Sequence, residues 1–362
     1  MVKYIIVRTV WIFIVLITIL SLNYTLLKLA PEYPPTTEEA RGIYYARQVA
    51  DGYMTERVID DPTEVQSIRD GEVEFCSNCW AKLEVDSSDN YQFRIYEPVP
   101  IVVQYFRWVE NVVFDWNWGY STRVAVNVPV FDVLKERIPV TLQLNLIALF
   151  FYIPIGFVLG IIAALRKNTW VDNLISFGVM VFISIPNFVV MTLLLMLLGY
   201  QLEWLPTQFP ANDIEDFWLQ FKGLILPVLG LSFAAIAGLT RVTRAELTEV
   251  LTSEFLLLAR TKGLTRKQAV IRHAMRNSMV PLVPGIIFSF VGLLSGSVII
   301  ERIYSVPGTG RIFLRAMLAG SYDYNVILAT TAFYTIITLF AVLLVDLSYG
   351  IVDPRIRMGA RK

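Results

Sequence analysis

Residues 241–281 read RVTRAELTEVLTSEFLLLARTKGLTRKQAVIRHAMRNSMVP. The stretch lies between two strongly apolar runs. It holds eight basic residues, Arg241, Arg244, Arg260, Lys262, Arg266, Lys267, Arg272 and Arg276, against three acids, Glu246, Glu249 and Glu254. Leu247, Val250, Leu251 and Leu258 recur at helical spacing over Ala245–Arg260. Gly263 interrupts that pattern as a glycine at a helix C-terminus does. Thr265 is placed to cap a second short helix over Arg266–Met275, carrying Ala269, Val270, His273 and Ala274. Pro281 is expected to open the next apolar run. A protruding helix–glycine–helix suits docking into a cleft of a soluble partner. A basic loop lying against anionic lipid is the alternative that charge alone leaves open.

The runs on either side decide the fold class. A helix needs roughly 20 apolar residues to cross the hydrocarbon core of a bilayer. Six stretches qualify: 10–29, 139–165, 174–200, 223–240, 279–300 and 326–347. Backbone groups in lipid must be satisfied within their own segment, and these runs do not alternate as barrel strands do, so helices are expected. The first run follows Lys3 and Arg8, but no small-x-small cleavage site precedes Pro31, so it reads as a retained span rather than a signal peptide. The fold class expected is an all-α membrane protein with six transmembrane helices. Pro154, Pro186 and Pro227 inside the runs suggest kinks or breaks. Gly156-x-x-x-Gly160 and Gly292-x-x-x-Gly296 permit close helix approach.

Lysine and arginine in short loops mark the cytoplasmic side. Arg166 and Lys167, the 241–277 segment, and the tail residues Arg355, Arg357, Arg361 and Lys362 fall on one side. The loop 201–221 has no Lys or Arg and four acids, Glu203, Asp213, Glu215 and Asp216. Both termini are therefore expected in the cytoplasm. The expected organisation is an N-terminal helix (1–30), an extracytoplasmic insert (31–135), a permease core (136–350, coupling segment 244–277) and a cytoplasmic tail (351–362). The insert carries 18 acids and 9 bases. Its Cys76 and Cys79 form a C-x-x-C pair that an oxidising compartment would close as a disulfide, two unpaired thiols being the alternative.

Composition excludes several functions. The chain is 55% hydrophobic, above the roughly 45–50% of soluble domains. Its two cysteines rule out a disulfide-stapled architecture, and its single histidine rules out a multi-histidine metal centre. There is no phosphate-loop motif G-x-x-x-x-G-K-[ST], no H-E-x-x-H and no G-x-S-x-G, so any ATP must be hydrolysed by another chain and an enzyme in the membrane is disfavoured. Nothing points to nucleic acid. A secondary transporter would want ionisable groups in several spans. Asp346 is the clearest intramembrane acid, expected to pair with an arginine near the inner interface. No second buried acid is evident. A membrane sensor would need a cytoplasmic signalling domain that the inner segments are too small to hold. Gln143, Asn145, Ser184, Asn187, Ser289, Ser295 and Ser297 are polar positions inside the spans that either line a hydrated path or bond between helices.

The block Ala259-Arg260-Thr261-Lys262-Gly263-Leu264, followed by Arg272-His273-Ala274-Met275-Arg276-Asn277 and Pro281, resembles the coupling segment of the oligopeptide/dipeptide/nickel permeases of the ATP-binding-cassette importers. The run 296–311, GSVIIERIYSVPGTGR, resembles that family's outward loop after the fifth span, and 344–357, LVDLSYGIVDPRIR, its C-terminal signature. A short interfacial helix is expected over 306–320. The resemblance spans about 113–357; the insert exceeds that of shorter members. It implies a pore-forming importer subunit in the cell membrane that binds no cofactor. It also implies a second homologous permease, two ATP-binding-cassette ATPase subunits beneath, and an extracytoplasmic binding protein that delivers solute. Oligopeptides or dipeptides are the expected cargo, with nickel, glutathione and oligosaccharides as the family's alternatives. By the same resemblance Glu254, Ala259, Arg260, Lys262, Gly263, Leu264, Arg272, His273 and Arg276 would couple the chain to the ATPase.

Overall fold

The computed structural model of the chain describes residues 2–30, 34–69, 79–85, 91–210, 216–318 and 322–352. The elements run α1 (Val2–Leu29), α2 (Glu38–Ala50), β1 (Met54–Ile59), α3 (Pro62–Arg69), β2 (Trp80–Val85), β3 (Tyr91–Pro98), α4 (Ile101–Phe114) and α5 (Val130–Lys135). There follow α6 (Ile138–Leu165), α7 (Trp170–Ser184), α8 (Asn187–Leu194), α9 (Phe217–Leu251), α10 (Glu254–Thr261), α11 (Arg266–Ala269), α12 (Met275–Ile303), α13 (Thr309–Ala316) and α14 (Tyr324–Val352). Two π-helical turns, Leu195–Gln201 and Val270–Ala274, extend α8 and join α11 to α12.

Among the described residues five helices are long and apolar enough to cross a membrane, or six if the bent α7–α8 pair forms one span. The protein is thus a multi-pass helical membrane protein. The third apolar run is not a straight helix. It bends by 99° where Pro186 follows Ile185. A residue before proline is driven out of the helical region, and Ile185 adopts ψ 127. Pro154 and Pro227, by contrast, sit inside unbroken α6 and α9. The fourth run is longer than its apolar content indicates: α9 has 35 residues, about 52 Å at a 1.5 Å rise. The hydrocarbon core is only about 30 Å thick, so the turns through Leu251 form a stalk beyond it.

Packing divides the chain into two compact units. The first contains residues 1–16, 136–314 and 333–362. Its core gathers Leu144 and Tyr152 of α6, Met191 of α8, Leu226 and Leu231 of α9, and Ile300 of α12. The Tyr304 hydroxyl donates to the Met191 carbonyl at 2.8 Å. Close approach of α6 and α9 depends on glycine. A Cβ on Gly160 would lie 2.5 Å from Thr243 Cβ, and one on Gly156 would lie 3.0 Å from Leu239 Cβ. Thr240 Oγ1 donates across this crossing to the Gly156 carbonyl at 3.1 Å.

The second unit, residues 17–135 and 315–332, holds the insert and is not purely helical. Its strands form an antiparallel sheet in the order β1-β3-β2. Ile59, Val65, Ile68, Phe93 and Ile95 form one apolar cluster. Tyr45 stacks on Trp80 and Tyr96 with ring centroids 4.7 and 5.5 Å apart. Arg94 ties the strands by bonding Glu56 and Glu84, each at 2.7 Å. The buried Asp323 carboxylate accepts from Ser121 Oγ and the backbone N–H groups of Thr122, Arg123 and Val124, at 2.6–3.1 Å. Cys79 is disulfide-bonded; Cys76, the other cysteine, lies outside the described residues.

Candidate functional site, a helix–glycine–helix on a stalk

The basic segment singled out in the sequence stands at the end of α9. The expected single helix over Ala245–Arg260 is in fact divided. α9 ends at Leu251, Thr252 and Ser253 turn the chain, and α10 begins at Glu254. Ser253 takes the extended conformation of an N-cap, φ −75 and ψ 149, with Oγ on the Val250 carbonyl at 2.5 Å. α10 closes at Gly263, whose φ of +94 is strained for any residue with a Cβ. Gly263 N–H donates to Arg260 O at 3.0 Å. Thr265 then caps α11 through a reciprocal pair: Gln268 N–H donates to Thr265 Oγ1 at 3.3 Å, and Thr265 N–H to Gln268 Oε1 at 3.1 Å. The second helix does not stop at Met275. It continues through a π-helical turn into α12, with Pro281 and Pro284 inside that helix rather than opening it.

Apolar packing holds the segment to its stalk. Leu256 of α10, Ala269 of α11 and Ala274 bury against Ala164 of α6 and Leu247 of α9, with Leu264 packed beside them. Of the residues expected to couple, Ala259 is buried, and Leu264 and His273 are half-buried. Glu254, Arg260, Lys262, Gly263, Arg272 and Arg276 are exposed. Between these cations lie four exposed apolar side chains absent from the sequence-based set: Phe255, Leu257, Leu258 and Ile271. A groove of about 340 Å³ runs between Leu251, Leu256, Leu257, Arg260 and Arg266. The surface is therefore apolar with a cationic rim, complementary to an apolar cleft edged by acids.

An ion pair pins the stalk. Arg244 on α9 grips Asp172 at the start of α7 with Nε and Nη2, at 2.6 and 2.8 Å. Asp172 is 2% exposed and also accepts from Asn168 N–H at 2.9 Å. This geometry is the two-pronged guanidinium–carboxylate form.

The structure contains buried acids that the sequence did not reveal. Besides Asp172, Glu301 and Asp323 are fully buried. Glu301 accepts from Thr141 Oγ1 at 2.8 Å and Arg311 N–H at 2.9 Å. Its carboxyl fills the space where Gly308 would carry a side chain, and one oxygen lies beside Gly310, whose Cβ position is taken by Val298. The Gly308-Thr309-Gly310 motif is thus a cradle for an internal carboxylate at the start of α13, a helix that ends at Ala316, short of the expected 306–320. Each of the three acids is met by protein donors. Asp346 lies 3.1 Å from Arg8, the arginine pairing expected of it.

The polar residues considered for a pathway do not converge. Gln143 and Ser184 are exposed, and Asn187 is half-buried. Asn145 is buried and donates to the Thr141 carbonyl of its own helix at 2.6 Å. Ser297 is buried and donates to the Leu294 carbonyl at 2.7 Å. The Ser295 side chain, with Gly292 and Gly296, lies outside the described residues. Ser289 borders a cavity of about 220 Å³ with Tyr152, Gly238, Pro281 and Gly285. Its hydroxyl is hydrogen-bonded to the Tyr152 hydroxyl.

A bundle of broken and overlong membrane helices bearing a protruding, cation-rimmed turn is the architecture of a transporter's membrane subunit. Residues 156–358 match the family model of the binding-protein-dependent transport system inner membrane component, and the chain belongs to that family. It is 40% identical over 259 residues to the dipeptide transport system permease protein DppB of Lactococcus lactis subsp. cremoris (strain MG1363), covering 72% of this chain and 82% of that protein. It is 34% identical over 258 residues to the oligopeptide transport system permease protein OppB of Escherichia coli (strain K12), covering 71% and 81%. Among solved structures, an inward-facing form of the MetNI methionine ABC transporter superposes with a TM-score of 0.51 at 16% identity. It covers 62% of this chain and 97% of that one. That likeness concerns the fold alone.

Proposed function

We propose that this chain is a pore-forming permease subunit of an ATP-driven peptide importer in the cell membrane, with both termini in the cytoplasm. A second homologous permease would complete the pathway. Two ATP-binding-cassette ATPase subunits would bind beneath, and an extracytoplasmic binding protein would deliver the peptide. The dipeptide and oligopeptide permeases to which the chain is similar support peptides over nickel, glutathione or oligosaccharides. ATP is assigned to the partners, since the chain has no phosphate loop.

One observation carries the coupling role. α10, Gly263 and α11 form a capped unit whose buried side fastens to α6 and α9 and whose outer side is apolar with cations around it. Docked in an ATPase cleft, it would pass the partner's movement directly into α9 and α12, which are continuous with it or one turn away. Phe255, Leu257, Leu258 and Ile271 would fill the cleft, and Arg260, Lys262 and Arg272 would meet its acids. Ser289, with Tyr152 beside it in the same cavity, would present a polar pair to the solute path.

The test is ATP-dependent peptide uptake by proteoliposomes holding the complete transporter. Gly263→Pro demands φ near −65° where the native value is +94, and it removes the N–H that closes α10. The expected result is a chain that still inserts and assembles with its partner permease but no longer imports. Uptake at the native rate would overturn the coupling role. Labelling of Lys262 and Lys267 from outside the cell would overturn the orientation.

A further inference from the structure

The face of α4 turned away from the insert's core is apolar. Val102, Phe106, Val109 and Val113 recur at i, i+4, i+7 and i+11, a single stripe along the helix. Phe106 and Val113 are each 65% exposed, and Phe114 at the C-terminal end is 81% exposed. On the other side Gln104, Trp108 and Val112 are buried. Between the two faces Tyr105 reaches α1. Its hydroxyl lies 2.6 Å from Ser21 Oγ, and Tyr24 packs against Tyr105 and Trp108 with centroids 5.7 and 4.9 Å apart.

Ser21 and Tyr24 belong to the apolar run Ile6–Leu29, which is long enough to cross a bilayer and whose neighbouring Leu22 and Leu26 are exposed. A helix that touches that half of a span through Tyr105 and Trp108 lies, at that contact, at the depth of Ser21 and Tyr24. The stripe on α4 therefore continues the lipid-facing surface of α1. The charges agree: Arg107 and Glu110 lie on one flank of the stripe and bond each other at 3.0 Å. Exposed Trp116 follows the helix, and tryptophan concentrates at membrane–water boundaries.

We infer that α4 is an interfacial helix whose Val102–Phe106–Val109–Val113 stripe is seated among the acyl chains of the leaflet that the C-terminal half of α1 crosses. It lies about 21 Å along the boundary at 1.5 Å per residue, with its charged flank toward water. The partner is the lipid bilayer. The sheet β1-β3-β2 and the loop 119–129 are thereby held at the membrane surface.

Collision accessibility of a nitroxide tests this. The complete transporter is reconstituted in phospholipid vesicles with a label at Phe106→Cys or Val113→Cys, and in control samples at Arg107→Cys or Glu110→Cys. All four sites are exposed, so the substitutions leave the core intact. Oxygen collisions are expected to exceed nickel-chelate collisions at 106 and 113, and the order to reverse at 107 and 110. Nickel-chelate excess at 106 and 113 would place the stripe in water and overturn the inference. Protection from both reagents there would mean that a protein covers it, and would overturn it equally.

Discussion

Replacing Arg244 by alanine tests how firmly the stalk is held. The change leaves the Asp172 carboxylate, 2% exposed, with the Asn168 N–H and a long bond from Ser176 Oγ. Removing one partner of a buried pair costs about 3–5 kcal/mol. Arg244 is itself 33% exposed, and water can replace part of what it supplies, so the low end, about 3 kcal/mol, is expected. Arg244→Ala with Asp172→Ala removes donor and acceptor together. The double variant should be more stable than the sum of the singles implies, by about 2 kcal/mol of coupling. The assay is reversible unfolding of the purified chain in mixed micelles of rising sodium dodecyl sulfate fraction, run as a double-mutant cycle. Coupling below about 0.5 kcal/mol would refute the pinning, and with it the view that α7 and the stalk move as one.

Gly160→Val should destabilise the α6–α9 crossing strongly, because its Cβ alone meets Thr243 at 2.5 Å; the same unfolding assay would show a lower midpoint, and an unchanged midpoint would refute the close-approach reading. Thr265→Ala removes one side of the capping box and should cost about 1 kcal/mol, read as faster proteolysis between α10 and α11 at sites that remain protected in the native chain. Gly308→Ala forces the Glu301 carboxyl out of its cradle, so a cysteine beside it at Thr309 should become reactive to a maleimide; protection equal to that of Thr309→Cys alone would count against the cradle.

The landmarks with a local cause were legible in the sequence. Gly263 and the Thr265 cap act within one turn, and the structure places both at the helix ends their residue types indicate, adding the reciprocal bond from Gln268. The apolar runs were legible for the same reason, since length and composition decide them. The break after α9 was not, because neither glycine nor proline marks Thr252–Ser253. Nor were the buried acids: Glu301 is held by Thr141, 160 positions away, and Asp323 by backbone groups about 200 positions away. In β1 the adjacent Glu56 and Arg57 break the alternation by which strands are recognised, whereas Ala81–Val85 and Tyr91–Ile95 do alternate but are short runs inside a polar, acidic insert. Phe255, Leu257 and Ile271 were not singled out, and Leu258 was read only as part of a helical stripe, because hydropathy does not distinguish a side chain packed inward from one offered outward.

α9 has no interruption from Phe217 to Leu251 and meets α6 at the glycines facing Thr240 and Thr243. From that crossing the stalk end is about 17 Å away and the other end about 35 Å, at 1.5 Å per residue. Were the rod to turn on that crossing, against the packing of Leu226 and Leu231 further along it, its far tip would swing the opposite way and through twice the arc. An ångström-scale tug beneath the membrane would thus become a larger opposing sweep near Phe217, a movement that paired spin labels at the two tips would register as changes of unequal size.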